Sequence, residues 1–178
     1  MVALAVTSLV TGCGGQFPAD PDGTLDRVEG GHLRVGVSAN PPWTQVPAGP
    51  EGTAPPGGLE PRLVEEFAAS LGAEVVWEVG GEEALVADLE AGRLDVVVGG
   101  LTAASPWAAR AALTYPYVTV PGPDGRDEAH VMATPMGENA FLVRLERFLL
   151  DQDVRPADVG AGEPARAAPP AAGGQVAS

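Results

Sequence analysis

The residues best placed to do chemistry lie in one stretch, residues 94–117, reading LDVVVGGLTAASPWAARAALTYPY. It opens as an apolar strand and stops at Gly99-Gly100, where the missing Cβ atoms let another group approach the backbone closely. Leu101 follows, then Thr102 with a hydroxyl that can both donate and accept. Trp107 and Arg110 come next, and the aromatic-Pro-aromatic run Tyr115-Pro116-Tyr117 closes the stretch. Small ligands usually sit at the C-terminal end of a parallel strand in an α/β protein. The stretch therefore reads as the rim of a ligand-binding lobe. A plainer reading stays open beside it: a tight strand-to-loop turn with Thr102 as its cap. Catalysis has little support. No Ser, Thr or Cys nucleophile is paired with a nearby His. The adjacent pairs Glu65-Glu66 and Glu82-Glu83 fit solvated helix faces better than acid/base carboxylates.

Several elements must position this rim. Residues 24–31 read as a short helical lead-in. Residues 32–38 alternate as a strand, with Leu33, Val35 and Val37 on one face, and Pro41-Pro42 ends it. Trp43 is thereby left at the strand's C-terminal end. A helix is predicted over 59–71, with Leu63, Val64, Phe67, Ala68 and Leu71 as its stripe. Pro61 lies in its first turn, and Gly72 is its stop. A strand over 74–79, a helix over 82–91 and a continuously apolar strand over 94–98 follow. This β-α-β-α-β order predicts right-handed crossovers and a mostly parallel sheet. Strands over 118–121 and 129–134, joined by GPDGRDE, precede a last helix over 139–150 with Asn139 as N-cap.

Composition sets the outer bounds. The chain has 178 residues with net charge -14 and no Lys, so nucleic acid and anionic headgroups should be repelled, and no nucleic-acid partner is expected. The single cysteine, Cys13, excludes an internal disulfide and a Cys-based metal site. His32 and His130 stand far apart without metal-ligand spacing and read as strand-edge or loop residues. No cofactor or metal is expected. The 24 Gly and 18 Pro concentrate in 12–23, 47–58 and 155–174, and the chain from about 154 onward has no hydrophobic period and reads as disordered. Residues 1–12 are apolar but too few to span a membrane. Val10-Thr11-Gly12-Cys13 resembles a bacterial lipobox, which implies lipid attachment at Cys13 and an anchor on the extracytoplasmic face of the membrane. An ordinary buried Cys near a ragged N-terminus is the alternative.

In order, LRVGVSANPPW, GLEPRLVEEFAASLGAEVVWEV, AGRLDVVVGGLT, TYPY and ATPMGENAFLVRLERFLL resemble solute-binding protein family 3, the extracellular receptors of ABC importers. The same fold occurs as the N-terminal domain of membrane-bound lytic transglycosylase F. The resemblance implies an α/β fold, a periplasmic-binding-protein-like II lobe. It implies residues 1–12 as signal peptide, 13–23 as tether, 24–152 as lobe one and 153–178 as disordered tail. In the family the chain leaves lobe one after the Pro-Tyr turn to build a second lobe. Here seven residues separate the outgoing and returning strands, so the hinge strands should close as a hairpin on a single lobe. The resemblance also implies that Trp43 stacks on a ligand and that Gly99, Gly100, Leu101 and Thr102 bind its polar end. The family's carboxylate-binding Arg falls on Trp107, and a second family Thr on Ala104. Arg110, one helical turn beyond if Pro106 opens a helix, could supply the planar carboxylate-binding fork instead, or be a solvated surface Arg. The implied function is a lipid-anchored substrate-binding protein for an amino-acid-like or other small solute, bound weakly by one lobe. An ABC permease is the implied partner. The alternative is a degenerate lobe acting as a protein-interaction module. An exposed rim of Trp43, Trp107, Tyr115 and Tyr117 is expected to be covered by self-association.

Overall fold

The computed structural model describes residues 18–47 and 54–159. Residues 1–12, Cys13 and the tail beyond 159 lie outside them.

Among the described residues, four α-helices and seven strands form the lobe. The helices are α1 (Thr24–Val28), α2 (Leu59–Ser70), α3 (Glu82–Glu90) and α4 (Asn139–Asp151). The strands are β1 (His32–Val37), β2 (Glu74–Val79), β3 (Val96–Val98), β4 (Ala112–Leu113), β5 (Val118–Pro121), β6 (Asp127–His130) and β7 (Ala133–Thr134). The main sheet runs β2-β1-β3-β7-β4. Its first three strands are parallel, and β7 joins β3 and β4 antiparallel. The sheet is thus mixed, with the expected parallel half intact.

Each face of the sheet carries its own core. Leu33, Val35, Val37, Val96 and Val98 pack with Leu63, Phe67, Phe141, Leu145 and Leu149 of α2 and α4. Val97 points the other way, into Leu85 and Leu89 of α3 with Leu94 and Leu101. The all-Val strand follows from this two-sided burial. Gly36 lies at the centre for a steric reason, since a Cβ there would meet Leu94 Cδ1 at 2.8 Å. α4 buries Phe141, Leu145 and Leu149, each worth roughly 2 kcal/mol against exposure.

Three boundaries differ from the sequence reading. The strand expected over 94–98 begins at Val96, because the fully buried Asp95 turns its carboxylate onto two arginines. Arg27 Nη2 and Arg34 Nη2 both donate to Asp95 Oδ1 at 2.6 Å. The single strand expected over 129–134 is split. β6 pairs with β5 in a separate ribbon; Val131 N–H then donates to the Leu101 carbonyl at 2.9 Å, and β7 enters the main sheet. At both ends of the described residues more is packed than expected. Glu138 accepts from the backbone of Asp22 and Thr24 at 3.0 Å each, which ties residues placed in the tether to the start of α4. Glu138, not Asn139, is the cap residue of α4. Beyond 152, Val154 and Val159 pack on the larger core.

The hinge strands do close as a hairpin. Pro121 pairs with Asp127, and the Gly122 N–H donates to the Arg126 carbonyl at 2.7 Å.

Candidate ligand-binding site

The expected rim residues fall into two groups on different sides of the β3 loop. In the first group, Gly99 and Gly100 lie at the C-terminal end of β3. Both N–H groups donate to Glu60 Oε2 at 2.9 Å, and the Tyr117 hydroxyl donates to Glu60 Oε1 at 2.7 Å. Glu60 is therefore the post on which the loop hangs. Burial pushes its carboxyl up to about 7, against the opposing hydrogen bonds. Burial and the neighbouring carboxylate likewise push the Tyr117 phenol well above its ordinary value, so it stays a donor.

Trp43 packs on this post. Its N–H donates to the Asn40 carbonyl at 2.9 Å, and its own carbonyl accepts from Glu60 N–H at 3.1 Å. Gly100 has φ +67° and touches the indole, where an added Cβ would lie 2.7 Å from Trp43 Cδ1. Here glycine is required by both conformation and space. Trp43 is buried, however, and its ring lies stacked against His130 at 3.6 Å between centroids and 26° between planes. The face expected to stack on a ligand carries the chain's own imidazole.

His130 ends β6 in the two-stranded ribbon, a strand-edge position as expected, yet its side chain is buried. It is 2% exposed, and among the described residues neither ring nitrogen has a hydrogen-bond partner. The backbone of Gly100 and Leu101 approaches the ring without reaching hydrogen-bonding geometry. Burial holds the imidazole below its ordinary value, outweighing the Glu128 carboxylate. Glu128 Oε2 lies 3.8 Å from His130 Nε2. A pocket of about 500 Å³ opens beside these groups, lined by Asn40, Pro42, Trp43, Gly100, Glu128 and His130 together with the hairpin and Val159.

The second group sits over α3. Leu101 is buried in the smaller core. Thr102 is half-buried and bridges to His130 through its backbone. Pro106–Ala109 forms a 3-10 turn in which the Ser105 hydroxyl accepts from the Trp107 N–H. Trp107 Nε1 donates to Glu82 Oε2 at 2.9 Å. The Arg110 guanidinium is gripped by Glu90, with Nε to Oε1 at 3.0 Å, and lies 5.7 Å from the Trp107 ring centroid. Neither Trp107 nor Arg110 lines the pocket, and the Arg fork already holds a carboxylate of its own chain. The exposed aromatic rim also needs correction. Trp43 and Tyr117 are buried, Trp107 is half-buried, and of the four only Tyr115 is exposed, because Glu60 draws Tyr117 inward and His130 covers Trp43.

A family model for bacterial extracellular solute-binding proteins, family 3, matches residues 33–124, just over half of the chain. The chain belongs to that family. Among solved structures, the arginine-bound form of domain 1 from TmArgBP is 24% identical with TM-score 0.60 and covers 71% of this chain and 97% of that one. The arginine-bound form of truncated ArgBP from T. maritima is 15% identical with TM-score 0.58, covering 71% and 99%. An ancestral cationic amino acid solute binding protein is 15% identical with TM-score 0.60, covering 72% and 93%. At these identities the solved structures bear on the fold, a single solute-binding lobe. No curated protein matches.

Two residues of the candidate site escaped the sequence reading. Glu60 carried a signal: it shares the helical face of Val64 and Phe67, a carboxylate on an apolar stripe. His130 carried none, since its burial depends on the hairpin closing over Trp43.

Proposed function

We propose that this chain is a lipid-anchored, extracytoplasmic solute-binding lobe that holds a small solute on one side only, serving uptake or sensing with a permease. The observation that carries this reading is the pocket where Gly100 meets Trp43, at the C-terminal ends of β1 and β3. The family supports solute binding, and the β5–β6 hairpin, standing where a second lobe would leave, supports the one-lobe design. An arginine-bound single domain of TmArgBP supports the idea that one lobe can hold a ligand. Cys13 after a small-residue run supports the anchor.

A one-sided site must meet the ordering costs of binding with few contacts. Free amino acids should therefore bind no tighter than roughly millimolar, a scale of about 4 kcal/mol. Calorimetry and thermal shift over a panel of amino acids, amines and neutral solutes test this; micromolar amino-acid binding by the monomer overturns it. For the anchor, mass spectrometry of protein extracted from native membranes should find a lipid-modified Cys13 as the N-terminus. An unmodified Cys13 still preceded by residues 1–12 refutes it.

A further inference from the structure

The hairpin gives the pocket chemistry that the rim stretch lacks. Of the residues lining it, Glu128 alone is charged; none is Arg. Glu128 Oε2 and His130 Nε2 are 3.8 Å apart, too far to hydrogen-bond each other. A donor group placed about 2.9 Å from each would bridge them, which requires the imidazole to turn toward the pocket, because both ring nitrogens are shielded from solvent here. The His130 imidazole is held below its ordinary value by burial. At neutral pH one ring nitrogen therefore carries no proton, and among the described residues neither has a hydrogen-bond partner. A buried polar group without a partner costs about 1–3 kcal/mol, a cost that a bound donor removes. The remaining wall is Trp43, Pro42, Val120 and Pro121, an apolar lining for a ligand body. A carboxylate there would face Glu128, while the arginine within the rim stretch, Arg110, is closed by Glu90.

We propose that the pocket selects small organic cations, primary amines or amidines on an apolar body, over the corresponding amino acids, with Glu128 and His130 as the groups that read the cationic head. The proposal rests on the solute-binding reading above and names its ligand class.

The test is a titration of the full chain with matched pairs, agmatine against arginine and tyramine against tyrosine, plus a set of neutral solutes. Binding is read by calorimetry and by amide chemical-shift perturbation. The expected result is at least tenfold tighter binding of each amine than of its amino acid. The shifts should centre on Gly100, Glu128 and His130. Glu128→Gln, at a half-exposed position, should lower amine affinity at least tenfold with an unchanged melting temperature. Equal or tighter binding of the amino acids, or binding of neutral solutes alone, overturns the ligand class and leaves the lobe a solute binder. Amine binding that E128Q does not weaken also overturns it. Absence of binding across the whole panel overturns the solute-binding reading itself.

Discussion

Glu60 decides more at the site than any residue of the rim stretch. One carboxylate holds both glycine N–H groups and the Tyr117 hydroxyl, so three donors, two of them buried, depend on it. Glu60→Ala would strand them and should cost about 2–4 kcal/mol in urea unfolding, because an unsatisfied buried group loses its full solvation. Glu60→Gln keeps an acceptor for the glycines and turns its amide toward the phenol oxygen, so it separates charge from shape. With the native carboxyl raised to about 7 against 4.5 unfolded, the native state binds the proton more tightly. Unfolding then releases a proton between those values, and stability from this group falls as pH rises through them. The variant should therefore gain relative to the parent across pH 4.5 to 8, by about 3 kcal/mol in total. A constant difference across that range would show that the carboxyl is not raised. A carboxylate on the apolar stripe of a helix was legible as an oddity; its role was not, since the donors it meets come from residues 39 to 57 positions away. Trp43 illustrates the same limit. Its place at the end of β1 was legible, but the imidazole lying on its ring comes from β6.

At the level of elements, the local patterns carried far. The alternation in β1, the stripe of α2, the glycine stop at Gly72 and the turn that folds the strand over 118–121 back on itself all rest on neighbours in sequence, and all formed. What failed rests on long-range partners: β4, the antiparallel entry of β7, and the packed ends. Residues 154–159 look unpatterned because only Val154 and Val159 touch the core, and two contacts make no period. The consequence is measurable. Replacing both valines by Asp in the full chain should lower stability by about 1–2 kcal/mol, since two half-buried apolar side chains would be lost from the packed surface. A denaturation midpoint equal to the parent's would mean that these residues are solvated, as their composition suggested. Because Val159 also lines the pocket, the same substitution tests whether this segment forms part of the site wall.

The whole molecule carries a charge of -14 with no Lys, and most of its few cations are already committed. Arg27 and Arg34 are held by Asp95, Arg62 by Glu66, Arg93 by Asp88, Arg110 by Glu90, Arg126 by Asp124 and Arg155 by Asp153. The uncompensated carboxylates therefore repel one another across the surface of a single lobe, which favours the expanded chain. Such long-range repulsion is screened once the Debye length falls from about 30 Å at 0.01 M salt to about 8 Å at 0.15 M. Short ion pairs lose less over the same range, and being exposed most contribute under about 1 kcal/mol each. Repulsion should win, and the melting temperature should rise with sodium chloride by roughly 3–5 °C, equivalent to about 1 kcal/mol for a domain of this size. The rise should be nearly complete by about 0.2 M, because screening saturates there whereas preferential exclusion of salt continues to grow. A melting temperature that falls with added salt would mean that the arginine pairs dominate the surface energetics. The same field bears on the site: an acidic lobe raises the local concentration of cations around a pocket whose charged wall is Glu128, so the on-rate for an amine should fall as salt rises, while that for a neutral solute stays level.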